Sequence, residues 1–349
     1  MPHVIGLDIG GANLKAAHSD GPCRSAAFPV WQQPDRLAAA LQELIGDWLP
    51  CQGLAVTMTA ELADCFETKS AGVDAVLNAV TEVADGLRVA VWQTVGEFVD
   101  VDVAREFPLL TAAANWHALA TFVGRLAPIG SALLIDIGST TTDVIPIVDG
   151  LPNPTGRTDG DRLLSGELVY TGVRRTPLCA IAHSVPHRDG YAQLATELFA
   201  TTLDVYLLTG DIPESPDDCD TANGRPATIE HAHDRIARML CCDRTEVTLD
   251  EARQIADFLA SVQQQRITGA IDRVLSTLPE SPAAVILSGS GTFLADRIAT
   301  SHPRLSTASH HHLAELFSPE TAESACAFAL TRLATEHSTF TPIDNSWLG

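Results

Sequence analysis

One pattern constrains the fold of this chain more than any other: a buried strand ending in aspartate and glycine, followed by a hairpin, occurs twice. Residues 3–9 (HVIGLDI) are short, apolar and β-branched, and they run into Gly10-Gly11. Residues 12–18 and 23–30 read as the next two strands of a meander. The pattern restarts at 131–137 (SALLIDI), which ends in Asp-Ile-Gly. Residues 142–148 (TDVIPIV) follow, then a hairpin signal at Asp149-Gly150 and a return strand over 151–157. Such a duplication predicts an α/β protein of two related halves. The 349 residues suffice for about two domains at roughly 150 residues each.

Between and after these units the periodicity predicts helices over 35–49, 70–85 and 108–126, and strands over 53–58 and 88–93. Residues 165–280 read as mainly helical, with a Pro-, Asp- and Gly-rich loop at 211–227. A short buried strand is expected at 284–288. A helix over 319–336 is opened by Ser318 as its cap. The expected organisation is one lobe over 1–127 and a second over 128–336. The second carries a helical insertion at about 165–280, and 337–349 forms a tail.

Charge limits the partners. With 22 Lys+Arg against 44 Asp+Glu the net charge is −22, which argues against general binding to nucleic acid or anionic membranes. No apolar run reaches the ~18 residues of a membrane span. The N-terminal stretch lacks a secretory pattern, and the eight cysteines form no CxxC pair, so reduced thiols in a cytoplasmic enzyme are expected. His310, His311 and His312 read as an exposed helix start, and no structural zinc is predicted. A homo-oligomer is left open. Only two of the basic residues are lysines, Lys15 and Lys69, which marks both as candidate point charges.

Three glycine-rich turns follow three buried strands. The first contains Asp8, Gly10, Gly11, Asn13 and Lys15. The second contains Asp136, Gly138, Ser139, Thr140, Thr141, Thr142 and Asp143, and the third Gly289, Ser290 and Gly291. Glycine lets backbone N–H groups approach an anion, and the hydroxyls can donate further bonds to phosphate oxygens. Asp8 and Asp136, at strand ends, could hold the waters of a Mg2+ ion.

These turns resemble the two phosphate motifs and the adenosine motif of the actin/Hsp70/sugar-kinase superfamily. The matching stretches are IGLDIGGANLKAA, LLIDIGSTTTDVIPI and VILSGSGTFLA. The resemblance implies a two-lobed actin-like (ribonuclease H-like) fold with a cleft between the lobes. DIGSTTTDV is similar to the hydantoinase/oxoprolinase branch, although Lys15 stands where that branch carries an acid and Ala12 where it carries Thr. Together with TMTAELADCFETKSAGV (57–73), AANWHALATF (113–122) and DGDRLLSGELVYTGVRRTPL (159–178), the turns resemble hydantoinase-like proteins of tetrahydromethanopterin-linked C1 metabolism. Archaeal members of that group act in methanofuran biosynthesis as the aminomethylfuran–phenol ether synthase. The resemblance implies a transferase joining a phenol to an (aminomethyl)furanmethanol diphosphate with release of diphosphate.

Each candidate residue then has a role. Lys15 and the turns would stabilise the departing diphosphate. A phenol of pKa about 10 benefits from a base, for which Asp143 is a candidate, equally readable as a carboxylate bonding its own turn. Lys69, in a polar cluster with Glu61 and Asp64, reads as a second anion contact or a solvated lysine. Arg162, Arg174 and Arg175 read as phosphate or carboxylate ligands or as surface arginines. Glu167 and Tyr170 could receive a cationic aminomethyl group. Asn115 and Trp116 line the cleft or fill the core. The competing readings use the same turns for ATP, in a small-molecule kinase, an amide hydrolase of the hydantoinase/oxoprolinase type, or a non-catalytic scaffold.

Overall fold

In the computed structural model, which describes residues 3–336, the apolar runs bounded by glycine form the strands. The expected tail at 337–349 lies outside the described residues. The strand β1 (Val4–Ile9) is buried along its whole length. β2 (Asn13–His18) and β3 (Cys23–Ala27) continue it as an antiparallel meander. β4 (Gly53–Met58) and β5 (Arg88–Trp92) add in parallel on the other side, and the short β6 (Phe98–Val99) closes the edge. The order is β3-β2-β1-β4-β5-β6.

Alternate residues of a strand face opposite ways, and β1 uses both faces. Ile5, Leu7 and Ile9 cluster with Leu41 of the Leu37–Ile45 helix and with Val73, Val76 and Leu77 of the Lys69–Ala84 helix. Val4 clusters with Ala118 of the Asn115–Val123 helix and with Leu330 and Leu333 of the Ala325–Glu336 helix. Gly6 shares that second face. A Cβ there would fall 2.1 Å from the Ala327 carbonyl oxygen, so glycine is what lets the last helix lie on the sheet.

The second sheet repeats the plan. Its strands are β7 (Ser131–Ile137) and β8 (Thr142–Val148), with β9 (Leu151–Pro152) pairing the far end of β8, and then β10 (Leu168–Val169). A separate hairpin, β11 (Ser184–His187) and β12 (Gly190–Gln193), precedes the helices. β13 (Ala284–Ser288) and β14 (Ser309–His312) complete the sheet in the order β10-β8-β7-β13-β14. Counted in chain order within each sheet, and leaving aside β9, both sheets read 3-2-1-4-5, with β6 added at the edge of the first. The duplication legible in the two Asp-Gly strands is a duplication of sheet topology.

The units are not two consecutive halves. One takes Met1–Ala132, Ile145–Leu164 and His311–Gly349, the other Leu133–Val144 and Ser165–His310. A boundary at 127/128 misses this because the Ala325–Glu336 helix packs on β1, β2 and β4. Residues 145–164 stay with the first unit for a similar reason: a Cβ on Gly124 would fall 2.1 Å from the Gly150 carbonyl oxygen, so the two backbones touch.

Four expectations need correction. The helix over 108–126 is broken into Pro108–Thr111 and Asn115–Val123. The helical region does not begin at 165: β10 and the β11–β12 hairpin come first, and the helices are Thr202–Thr209, Ile229–Met239 and Leu249–Leu275. The return strand after Gly150 is only Leu151–Pro152. The triple-histidine run is part-buried rather than exposed and lies in β14 at the edge of the second sheet, with His312 as the N-cap of the short Leu313–Leu316 helix that follows. Ser318 does cap a helix, its Oγ accepting from the Thr321 N–H at 3.3 Å. Among the described residues no helix is long and apolar enough to cross a membrane.

Candidate active site

In the first unit a row of polar residues crosses an otherwise apolar sheet. Asp8 lies opposite Lys15 on β2 and in register with Thr57 on β4. Directly paired residues share a face, so Lys15, Asp8 and Thr57 form one line. Asp8 is buried, and its Oδ1 has no hydrogen-bond partner; neither has the fully buried Thr57 Oγ1. Burial raises the Asp8 pKa, while the Lys15 charge and a hydrogen bond from the Asn115 side chain hold it down. Lys15 Nζ donates to the Glu323 carbonyl oxygen at 2.7 Å.

The break in the expected 108–126 helix builds the rest of the site. Ala113 adopts a left-handed conformation, φ 48°, which costs a residue with a Cβ roughly 1–3 kcal/mol. Its N–H bonds the Glu61 carboxylate. Two residues on, Asn115 opens the next helix beside Asp8. The following residue, Trp116, stacks under the Arg162 guanidinium, whose carbon lies 4.0 Å from the ring centre. Arg162 also approaches Asp159 at 3.4 Å. A single kinked segment thus touches Glu61, Asp8 and Arg162.

Glu61 is 2% exposed, and its Oε2 has no hydrogen-bond partner. Burial, only partly offset by its own and the Ala113 N–H groups and by the Lys69 charge, pushes its pKa up to about 7; Asp159 adds to the rise. The Lys69–Ala84 helix approaches Glu61 closely because residue 72 is glycine: a Cβ there would sit 2.0 Å from the Glu61 carbonyl oxygen. His117 hydrogen-bonds the Trp92 indole at 3.3 Å. Burial, with the charges of Arg162 and Arg157, lowers its pKa to about 4, so it is neutral at pH 7.

In the second unit the glycine turns interlock. Gly289 has φ +88°, and a Cβ on it would meet the Ile137 carbonyl oxygen at 2.2 Å and Asp136 Oδ1 at 2.4 Å. Gly291 donates its N–H to the same carbonyl at 2.8 Å. Gly172 lies against the second turn, where a Cβ would be 2.5 Å from the Gly138 oxygen and the Thr140 nitrogen. The Val173 N–H bonds the Gly138 carbonyl, and the Arg174 and Arg175 N–H groups bond the Ser139 carbonyl. These contacts fix the Ser139–Thr141 backbone. Asp143 lies within β8, opposite Leu168 of β10.

Within the first unit the structure therefore gathers Asp8, Lys15 and Asn115, and joins Glu61, Lys69 and Arg162 to them through residues 113–116. Gly10 and Asn13 close the first turn, Gly10 N–H to Asn13 carbonyl at 3.0 Å, and Gly11 borders open space. In the second unit Asp136, Gly138, Gly289 and Gly291 meet, while Ser290 is exposed. Ser139, Thr140 and Thr141 are part-exposed. Three expected ligands have partners within the fold. The Thr142 hydroxyl is buried and donates to the Thr171 carbonyl at 2.8 Å. The Arg174 guanidinium is neutralised by Asp218 at 2.5 Å. Glu167 is buried and accepts from the Ser165 hydroxyl at 2.9 Å, and Tyr170 is 62% exposed. Sequence reasoning did not single out Thr57, Ala113, His117 or Asp159. Asp8 suits a hydrated Mg2+ ion: one carboxylate oxygen lacks a partner, and a hydroxyl in the same condition lies in register on the next strand.

Two sheets of order 3-2-1-4-5, each with an Asp-Gly turn at the end of its first strand, define an actin-like, ribonuclease H-like α/β fold. A solved structure of nucleotide-free acetone carboxylase superposes with a TM-score of 0.53 at 10% identity, over 95% of this chain and 70% of that one. The chain belongs to the hydantoinase/oxoprolinase family, whose model matches residues 52–337. It is 36% identical over 274 residues to the (4-{4-[2-(gamma-L-glutamylamino)ethyl]phenoxymethyl}furan-2-yl)methanamine synthase of Methanocaldococcus jannaschii, spanning 78% of this chain and 81% of that protein. A protein of the same name from Methanococcus vannielii is 40% identical over 126 residues, 36% of this chain and 56% of its own length.

Proposed function

We propose that this chain is an ether-forming transferase of methanofuran or methylofuran biosynthesis. It joins the phenol oxygen of tyramine, or of its γ-glutamyl amide, to the methylene of an (aminomethyl)furanmethanol diphosphate. The observation that carries this reading is the 36% identity, across most of both chains, to a synthase named for a phenoxymethyl furan. In the step, the phenol oxygen bonds to the furfuryl carbon. The carbon–oxygen bond to diphosphate breaks with its electron pair on the diphosphate, and the phenol proton passes to a base.

The residues of each unit suit that chemistry. A furfuryl carbon tolerates positive charge, so the main barrier is the negative charge on the leaving group, the kind of charge that preorganised electrostatics stabilises best. Lys15 with the Gly10-Gly11 turn, and Ser139, Thr140 and Thr141 on their fixed backbone, are each built to receive anionic oxygens. Mg2+, held through water by Asp8 and with Asp136 as a second candidate, would add a Lewis acid for diphosphate. The partners on this reading are small molecules, not nucleic acid or a membrane, and the location is cytoplasmic.

The test is to incubate the protein with the furan diphosphate, tyramine and Mg2+, and to follow ether and diphosphate by mass spectrometry. Ether is expected, and Asp8→Asn should lower its rate by roughly 10²–10³-fold. No ether, together with ADP formed from ATP, would replace this reading with the kinase or amide-hydrolase one.

A further inference from the structure

We propose that Glu61 takes the proton from the attacking phenol, the role that sequence reasoning offered to Asp143. The inference rests on the ether-forming reading above and names the base within it. It begins from an acceptor that the fold leaves unclaimed. Glu61 is 2% exposed, yet its Oε2 has no hydrogen-bond partner. Burying a carboxyl oxygen without a partner is costly. The fold adds strain to keep the group in place: Ala113 takes a left-handed backbone, and its N–H holds the carboxylate. Residue 72 must be glycine for the neighbouring helix to reach it.

The environment matches the task. The charged groups acting on Glu61 are Lys69, on the helix that packs against it, and Asp159, at the start of the Asp159–Ser165 helix. Burial outweighs Lys69, so this carboxylate is a stronger base than an exposed one, poised between an ordinary acid and a phenol. Asn115, two residues along the same kinked segment from Ala113, hydrogen-bonds Asp8, the residue assigned to the metal. The indole Nε1 of Trp116 on that segment is likewise buried and without a partner, a donor left for a bound molecule. Asp143 instead lies within the β8–β10 ladder of the other unit.

The step balances. The phenol O–H breaks and its proton moves to Glu61 Oε2, the phenol oxygen bonds to the furfuryl carbon, and the carbon–oxygen bond to diphosphate breaks with its electron pair on the diphosphate. Proton transfer of this kind contributes about 10²–10⁴-fold to rate.

The experiment compares tyramine with 3-nitrotyramine, whose phenol is largely ionised at pH 8, in the full-length protein and in Glu61→Gln. Wild type should form ether from both. Glu61→Gln should lose at least ~10²-fold in kcat with tyramine and recover to within about tenfold of wild type with 3-nitrotyramine. Glu61→Asp, which keeps a carboxylate, should fall between the two on tyramine. Equal losses of Glu61→Gln on both phenols, with its fold intact by circular dichroism, would overturn the assignment and make Glu61 a structural group or a ligand for the substrate ammonium. If wild type forms no ether from either phenol, the parent reading fails instead.

Discussion

The two units share a strand order and an Asp-Gly turn, but they treat buried polar groups in opposite ways. Around Asp204 the second unit satisfies nearly all of its buried polar groups, although His187 Nδ1 and His231 Nδ1 elsewhere in it lack hydrogen-bond partners. Asp204 receives Arg235 Nε at 2.7 Å and the Thr201 N–H at 2.9 Å. The Tyr206 hydroxyl donates to Gln263 at 2.6 Å, and Gln263 Nε2 donates to Thr171 and to the Gly172 carbonyl. Of that network only Arg235 Nη2 lacks a partner. The first unit leaves Asp8 Oδ1, Thr57 Oγ1, Glu61 Oε2 and Trp116 Nε1 unbonded. Closed networks rigidify a fold, while unmet groups are tolerated where a ligand claims them. The second unit thus ties this network to its turns, while the first leaves donors and acceptors open around Asp8 and Glu61.

The largest effect is expected where a closed network is opened. Asp204→Asn removes the charge facing a guanidinium that is 0% exposed, and should cost about 3–5 kcal/mol in urea unfolding. A loss under 1 kcal/mol would mean that the second unit's polarity is not structural.

Glu61→Gln should do the reverse and stabilise the protein near neutrality. Its folded pKa, about 7, lies above the ordinary 4.5. Below pH 4.5 the carboxyl is protonated in both states and its contribution is fully present. Between pH 4.5 and 7 the unfolded chain gives up its proton first, and stability falls. Above pH 7 the loss is complete, at ~3 kcal/mol. The uncharged variant escapes it. Its advantage over wild type should be near zero at pH 4 and grow to as much as ~3 kcal/mol at pH 8, read from urea midpoints at the two pH values. An advantage that does not grow with pH would show that burial does not govern this carboxyl.

What could be read from the sequence follows the same division. Strands at 53–58, 131–137, 142–148 and 284–288 are legible to the residue because apolar runs between glycines have one period to satisfy. Asp8, Lys15 and Glu61 stand out in the sequence as polar residues that interrupt or follow such runs. The break at 112–114 is not legible, since AAANWHALA reads as helix by propensity and the contacts at the break are tertiary, Ala112 bridging to Met58 and Ala113 bonding Glu61. Thr57 looked like one more β-branched strand residue. Gly289 and Gly291 read as an anion turn, and Gly172 is not singled out, yet at all three the missing Cβ makes room for neighbouring backbone or the Ile137 side chain. Arg174 looked free because Asp218, 44 residues away, could not be foreseen.

Glycine substitutions give a smaller contrast between the units. Gly172→Ala places a Cβ 2.5 Å from the second turn's backbone and should cost about 1–3 kcal/mol. Gly11→Ala meets no atom within 4 Å and should leave stability within about 0.5 kcal/mol of wild type. Equal thermal shifts for the two would remove the distinction between a packed turn and an open one.

Thr57→Val has a small expected effect on the fold and sharpens the comparison most. Valine keeps the shape and removes a hydroxyl that is buried without a partner. Deleting an unsatisfied polar group is near neutral or stabilising, here within about 1 kcal/mol. Deleting a satisfied one would destabilise. Because Thr57 lies in register with Asp8, loss of its hydroxyl should lower kcat/KM for ether formation while the unfolding midpoint stays level or rises. A variant that unfolds earlier and keeps its kcat/KM would show that the hydroxyl serves the fold, and the first unit would then differ little from the second.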